Sequence, residues 1–190
     1  NSSRDDLVVF LTRKGSTSPS RSVRNLTLQA TLTPAPHISP SDVPAENLYS
    51  LRLAKLVELG AFEDALTLYK MNEAAPPTPL AARAGIEAML GHGETAVACL
   101  EQKALDKTLR VDTPEFWGNI DLFCQALIGP VASGDKDSRL ANASRIYLEA
   151  RKVVAPTTAN DLNSLDIIST MALAKTGGFS GLLADFESAN

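Results

Sequence analysis

From Leu26 to Thr33 apolar and polar residues alternate without a break: Leu26, Leu28, Ala30 and Leu32 against Thr27, Gln29, Thr31 and Thr33. A period of two over this length predicts one β-strand with a single apolar face. The apolar run Leu7 to Leu11 lies upstream, and the turn-forming GSTSPS at 15–20 separates the two, which predicts a long-looped hairpin. Two strands alone are marginal in water. The alternatives are therefore a flexible terminus, or an arm whose face rests on the chain's own helices or on a protein that accepts a strand at its sheet edge. On the last reading Leu26, Leu28 and Leu32 are candidate partner-binding positions. Past residue 47 the period changes to three and four. Leu48, Tyr49, Leu51, Leu53, Leu56 and Val57 predict one helix, and Phe62, Ala65, Leu66 and Tyr69 a second, separated by Gly60.

The change of period falls beside a proline-rich stretch, TLTPAPHISPSDVP, in which Pro34, Pro36, Pro40 and Pro44 remove backbone donors and disfavour helix in the residues before them. It predicts an extended linker and sets a boundary, with an arm and linker over 1–43 and a helical domain over 44–190. Charge divides the chain at the same place. Residues 1–43 carry five basic and three acidic side chains, while the remainder carries 13 and 19.

Pro44, Pro79 and Pro114 stand 35 residues apart, each opening an apolar-periodic segment. A fixed period of this size predicts stacked helical hairpins. The residues Gly60, Phe62, Ala65, Leu66, Tyr69 and Pro77 resemble the second half of a tetratricopeptide repeat, with Asn72 where that family usually has alanine and Leu53 where it prefers a small residue. Gly91, Gly93, Ala96, Val97 and Leu100 echo the pattern without its aromatics. A third unit opens at Pro114, uses Phe116, Trp117, Ile120, Phe123 and Leu127, and reaches its second helix after the loop PVASGDKDS. A fourth pair, 160–175 and 179–188, turns at Gly177 and Gly178. The resemblance implies a mainly α, tetratricopeptide-like array of about four hairpins with an extended or β-hairpin N-terminal arm. The segment EFWGNIDLFCQALIG is similar to a group of exported alphaproteobacterial helical-repeat proteins of unclear function, which implies a periplasmic or cell-envelope location, the alternative being cytoplasmic.

Composition narrows the function classes. Net charge is −4 and no expected helix carries a basic stripe, which argues against nucleic acid as a partner. No apolar stretch approaches the ~18 residues of a membrane span. His37 lies in the proline linker and His92 in a glycine turn, neither beside Cys, Asp or Glu at metal-ligand spacing, so no metal and no cofactor are expected. Cys99 and Cys124 fall in neighbouring expected helices. A disulfide between them is conceivable, but burial as free core cysteines is the expectation.

No nucleophile elbow or phosphate-binding glycine loop is present. Glu63 and Asp64 sit in a helix's first turn, where the macrodipole favours carboxylates, and Glu58 with Glu63 would need a shaped cleft to act as a catalytic pair. The expectation is a non-enzymatic scaffold or adaptor that mediates protein–protein contact in a multi-subunit assembly, with the arm docking on a neighbouring subunit and no small-molecule substrate. The alternative is an accessory helical domain of an envelope enzyme such as a cell-wall hydrolase. Transferring the groove-facing positions of tetratricopeptide helices onto this register selects Asn47, Ser50, Glu58, Phe116, Asn119 and Phe123, with Phe116 and Phe123 equally suited to the core.

Overall fold

The computed structural model describes residues 4–13, 21–33, 48–71, 78–111, 113–129, 134–157, 159–162 and 165–180. The chain is mainly α-helical, and no strand occurs among the described residues. The helices are α1 (Arg4–Thr12), α2 (Arg21–Leu32), α3 (Leu48–Glu58), α4 (Phe62–Met71), α5 (Pro79–His92), α6 (Thr95–Ala104), α7 (Pro114–Ile128), α8 (Lys136–Arg151), α9 (Ala159–Leu162) and α10 (Ile167–Thr176), with a 3-10 turn at Lys107–Arg110. Two compact units divide them. Unit 1 takes Asn1–Gly93 with Leu105–Asp112, and unit 2 takes Glu94–Ala104 with Thr113–Asn190. The proline linker and the start expected at Pro44 lie outside the described residues.

Unit 1 corrects the strand expected over 26–33. The polar half of that alternation is mostly threonine, and in a helix each threonine hydroxyl can return its proton to the carbonyl four residues back. Thr27 donates to Val23 at 2.9 Å, Thr31 to Thr27 at 2.8 Å and Thr33 to Gln29 at 2.8 Å. With their hydroxyls satisfied, Thr27 and Thr31 are buried on the face that packs on α3.

Cations fasten these helices. The last carbonyls of a helix have no partner within it, and a neighbouring cation can serve them. Lys55 of α3 donates to the carbonyl of Arg13, just past α1, at 2.8 Å. Arg52 of α3 donates to the carbonyl of Thr33, just past α2. Arg24 of α2 donates to the carbonyl of Leu59, just past α3, at 2.7 Å. The Lys55 side chain is fully buried and also meets Glu58 at 3.0 Å. Lys55→Met is expected to lower stability by about 1.5–3 kcal/mol, the worth of a charged hydrogen bond whose acceptor is stranded. Hydrogen exchange should show the loss first in α1; unchanged protection there would mean that Lys55 does not hold it.

The local punctuation of unit 1 follows the sequence. Thr78 caps α5 by accepting from the Ala81 amide at 3.1 Å, with Pro79 in the first turn. Gly60 takes the left-handed conformation, φ 69°, that the α3–α4 turn requires. α3 packs against α1, α2, α4 and α5, so Leu51, Leu53 and Leu56 form the centre of this unit.

Aromatic rings of α4 lie directly on glycines of α5. A Cβ on Gly85 would stand 2.4–2.7 Å from the Tyr69 ring, and one on Gly91 would stand 2.5–2.6 Å from the Phe62 ring. Overpacking of this kind costs about 1–3 kcal/mol, against a helix-propensity gain of about 1 kcal/mol for Gly→Ala. Gly85→Ala is therefore expected to destabilise, and to become stabilising by up to about 1 kcal/mol once Tyr69→Ala has removed the ring. Gly118 of α7 meets nothing within 4 Å of an added Cβ, so Gly118→Ala should stabilise by about 1 kcal/mol. Denaturant midpoints of these variants test the contact; a Gly85→Ala protein at least as stable as the parent would refute it.

In unit 2, α7 packs against α6, α8 and α10, and α8 packs against α10. Pro114 occupies the first turn of α7, as expected, behind Thr113 in a left-handed conformation. The fourth pair differs from expectation: 160–175 divides into the short α9 and α10, with Asp166 starting the latter, while 181–190 lies outside the described residues. Cys99 and Cys124 are buried as expected but are not free. They form a disulfide between α6 and α7 across a sequence separation of 25. The inward face of α6 also differs from the repeat-like pattern. Thr95, Ala98, Cys99 and Gln102 are buried, whereas Ala96, Val97 and Leu100 are exposed. The disulfide fixes that rotation, because Cys99 must face α7.

Candidate functional site

A polar cluster in unit 2 surrounds the first turn of α10. Asp166 precedes an apolar helix and caps it, one carboxylate oxygen accepting from the Ser169 amide at 2.6 Å. Its other oxygen accepts from Asn119 Nδ2 of α7 at 3.1 Å and from the Tyr147 hydroxyl of α8 at 3.2 Å. The Tyr147 hydroxyl also lies 3.4 Å from Ser169 Oγ, and the Tyr147 ring meets Phe123 edge-on, with centroids 6.3 Å apart. Burial pushes the Tyr147 phenol up to about 12, the Asp166 charge and hydrogen bond adding to it while Ser169 and the Arg151 cation pull the other way. Such a phenol keeps its proton at neutral pH, and its oxygen is already engaged, so it is suited neither to general-base nor to nucleophilic work. The cluster clamps α7, α8 and α10 together.

The positions selected for a groove are placed mostly elsewhere than in one. Asn47 lies outside the described residues. Ser50 is fully buried, with Oγ 2.6 Å from Thr78 Oγ1. Glu58 is partly exposed and paired with Lys55 at 3.0 Å. Phe116 is buried against Trp117, their ring centroids 5.0 Å apart. Asn119 and Phe123 are buried in the clamp. Ser50, Phe116, Asn119 and Phe123 are thus buried positions. Sequence reasoning missed Asp166, Tyr147 and Ser169. An Asp three residues before a Ser, ahead of the apolar run IISTMALA, was the available signal for the cap.

The arm residues fare differently. Leu26 and Leu32 are exposed and Leu28 is half-buried. On α2, Val23, Leu26 and Ala30 recur at helical spacing and all face solvent, while Thr27 and Thr31 face α3. This makes α2 an amphipathic helix with its larger aliphatic side chains outward. Unit 2 also contains a pocket of about 150 Å³ lined by Thr95, Ala96, Leu127, Ile128 and Leu140 together with the exposed Lys136 and Arg139. Arg139 donates to the Gly134 carbonyl at 2.8 Å, an interaction that fixes the start of α8.

Among the described residues no three His, Cys, Asp or Glu side chains stand where they could hold a metal ion, and no helix is long and apolar enough to cross a membrane. In comparisons with known proteins, no family model, no curated protein and no solved structure matches the chain.

Proposed function

We propose that the chain is a non-enzymatic scaffold or adaptor, built from tetratricopeptide-like helical hairpins, whose N-terminal arm docks on a protein partner in a larger assembly. The observation that carries this reading is the outward face of α2, where Val23, Leu26 and Ala30 form an exposed apolar stripe and Leu26 is 65% exposed. A helix that spends its threonines on its own fold and presents its leucine to solvent has the pattern of a surface buried on association. The docking element is then a helix face and not a strand edge. The Cys99–Cys124 disulfide favours an oxidising location such as the periplasm or cell envelope, since disulfides persist in such compartments.

Leu26→Asp tests the proposal without removing the helix. Because Leu26 faces solvent, the variant should keep the parent's thermal midpoint, while affinity capture from the native host should lose the partners that the parent retains. A partner set unchanged by Leu26→Asp and by Val23→Asp would remove the docking role from α2.

A further inference from the structure

The face that α6 turns inward is its less apolar one. Thr95, Ala98, Cys99 and Gln102 are buried, whereas Ala96, Val97, Leu100 and Ala104 face solvent, Val97 being 46% exposed and Leu100 62%. At about 100° per residue the two sets are centred on nearly opposite sides of the helix. Area burial favours the reverse arrangement, because Val and Leu gain far more from leaving water than Ala or Thr do. The inward face is also incompletely satisfied: Gln102 Nε2 donates to Asp121 Oδ1 at 2.5 Å, but its buried Oε1 has no hydrogen-bond partner among the described residues. One covalent bond, Cys99–Cys124, opposes this preference and keeps the small face on α7.

We propose that the Cys99–Cys124 disulfide is a redox latch that sets which face of α6 is displayed. Oxidised, it holds Thr95, Ala98 and Gln102 against α7 and exposes Val97 and Leu100; reduced, α6 turns to lay Val97 and Leu100 on α7, and the apolar display is withdrawn. The chemical step is thiol–disulfide exchange with a dithiol reductant. One thiolate attacks a sulfur and breaks the Cys99–Cys124 bond, giving a mixed disulfide that the second thiol resolves. Two electrons and two protons pass to the protein, Cys99 and Cys124 become thiols, and the reductant leaves as its own disulfide. Both cysteines are buried, so attack follows a local opening of α6, which at ten residues is too short to persist alone. This device is independent of the docking role of α2.

The test uses the full chain, oxidised and after reduction with dithiothreitol, with methyl relaxation at Val97 and Leu100 measured in the presence of a soluble paramagnetic chelate. Reduction should cut the paramagnetic broadening of both residues at least threefold while the α6 amides stay protected from exchange. Unchanged broadening would show a purely structural cross-link, and lost amide protection would show that α6 melts instead of turning; either result overturns the proposal. A second arm uses Val97→Ser with Leu100→Ser. The unfolding midpoint of this variant should match the parent when oxidised and fall below it when reduced, whereas equal shifts in the two states would sink the latch.

Discussion

Replacing Cys99 and Cys124 together by alanine is expected to lower the unfolding free energy by about 3.5 kcal/mol, the loop-closure entropy removed from the unfolded chain by a cross-link across this separation. The effect is large because little else holds α6 to α7. The buried aliphatic side chain that α6 contributes is Ala98, and its buried Gln102 satisfies only one of its two polar ends. An unsatisfied buried oxygen costs about 1–3 kcal/mol, which offsets much of what the Gln102–Asp121 hydrogen bond contributes. Denaturant unfolding of the oxidised parent and the double variant measures the difference, and hydrogen exchange should place it in unit 2. A loss below about 1 kcal/mol would mean that packing dominates this interface and that the cross-link adds little.

How far the sequence forecast these features depends on the range of the interaction that decides each one. Thr78–Pro79, Pro114, Gly60 and Gly177 act on their own neighbours, and their helix starts and turns were readable without any tertiary knowledge. The arm was misread because Leu/Thr alternation satisfies a strand by its period and a helix by the back-bonding of its hydroxyls. What separates the two is the docking of α2 on α3, through Arg24 reaching Leu59 and Arg52 reaching Thr33, contacts 35 and 19 residues apart in sequence. No local window contains them.

The rotation of α6 was illegible for a related reason. Ala96, Val97 and Leu100 form the better apolar face, whereas the Cys99–Cys124 pairing and the Gln102–Asp121 hydrogen bond, 25 and 19 residues apart in sequence, both go with the opposite one. The groove positions rest on chemistry shared by two environments, since Phe116 and Phe123 suit a ligand-binding surface and a helix interface equally well, and both are buried. The burial of Asn119 depends on Asp166, which stands 47 residues away. Among the arm residues, Leu26 was expected on the apolar face of a strand that rests on the helices or on a partner; in the helix it is exposed.

Asp166→Ala should be costly for the substitution of an exposed polar residue. It removes the α10 cap, worth about 1 kcal/mol, and it strands two donors from other helices, Asn119 Nδ2 and the Tyr147 hydroxyl, at about 1–3 kcal/mol each. Asp166 itself is exposed, so water can reach part of the vacated site and the total belongs at the lower end, about 3 kcal/mol. Asp166→Asn keeps an acceptor for the Ser169 amide and should cost about 1 kcal/mol; equal losses for Ala and Asn would show that charge and not capping is what matters. The same clamp gives the protein an alkaline signature. The Tyr147 phenol is pushed up to about 12 in the folded chain, against about 10 when unfolded. Between those values the unfolded chain has released a proton that the native chain still binds, so stability falls as pH rises from about 10 and this contribution is gone once pH passes about 12. Denaturant midpoints followed across that window, with tyrosinate absorbance recorded alongside, should show the fall in the parent. In Asp166→Ala the fall should shrink, because the carboxylate is one of the groups that hold the phenol neutral. An alkaline decline of equal size in both proteins would place its source outside the Tyr147–Asp166 pair.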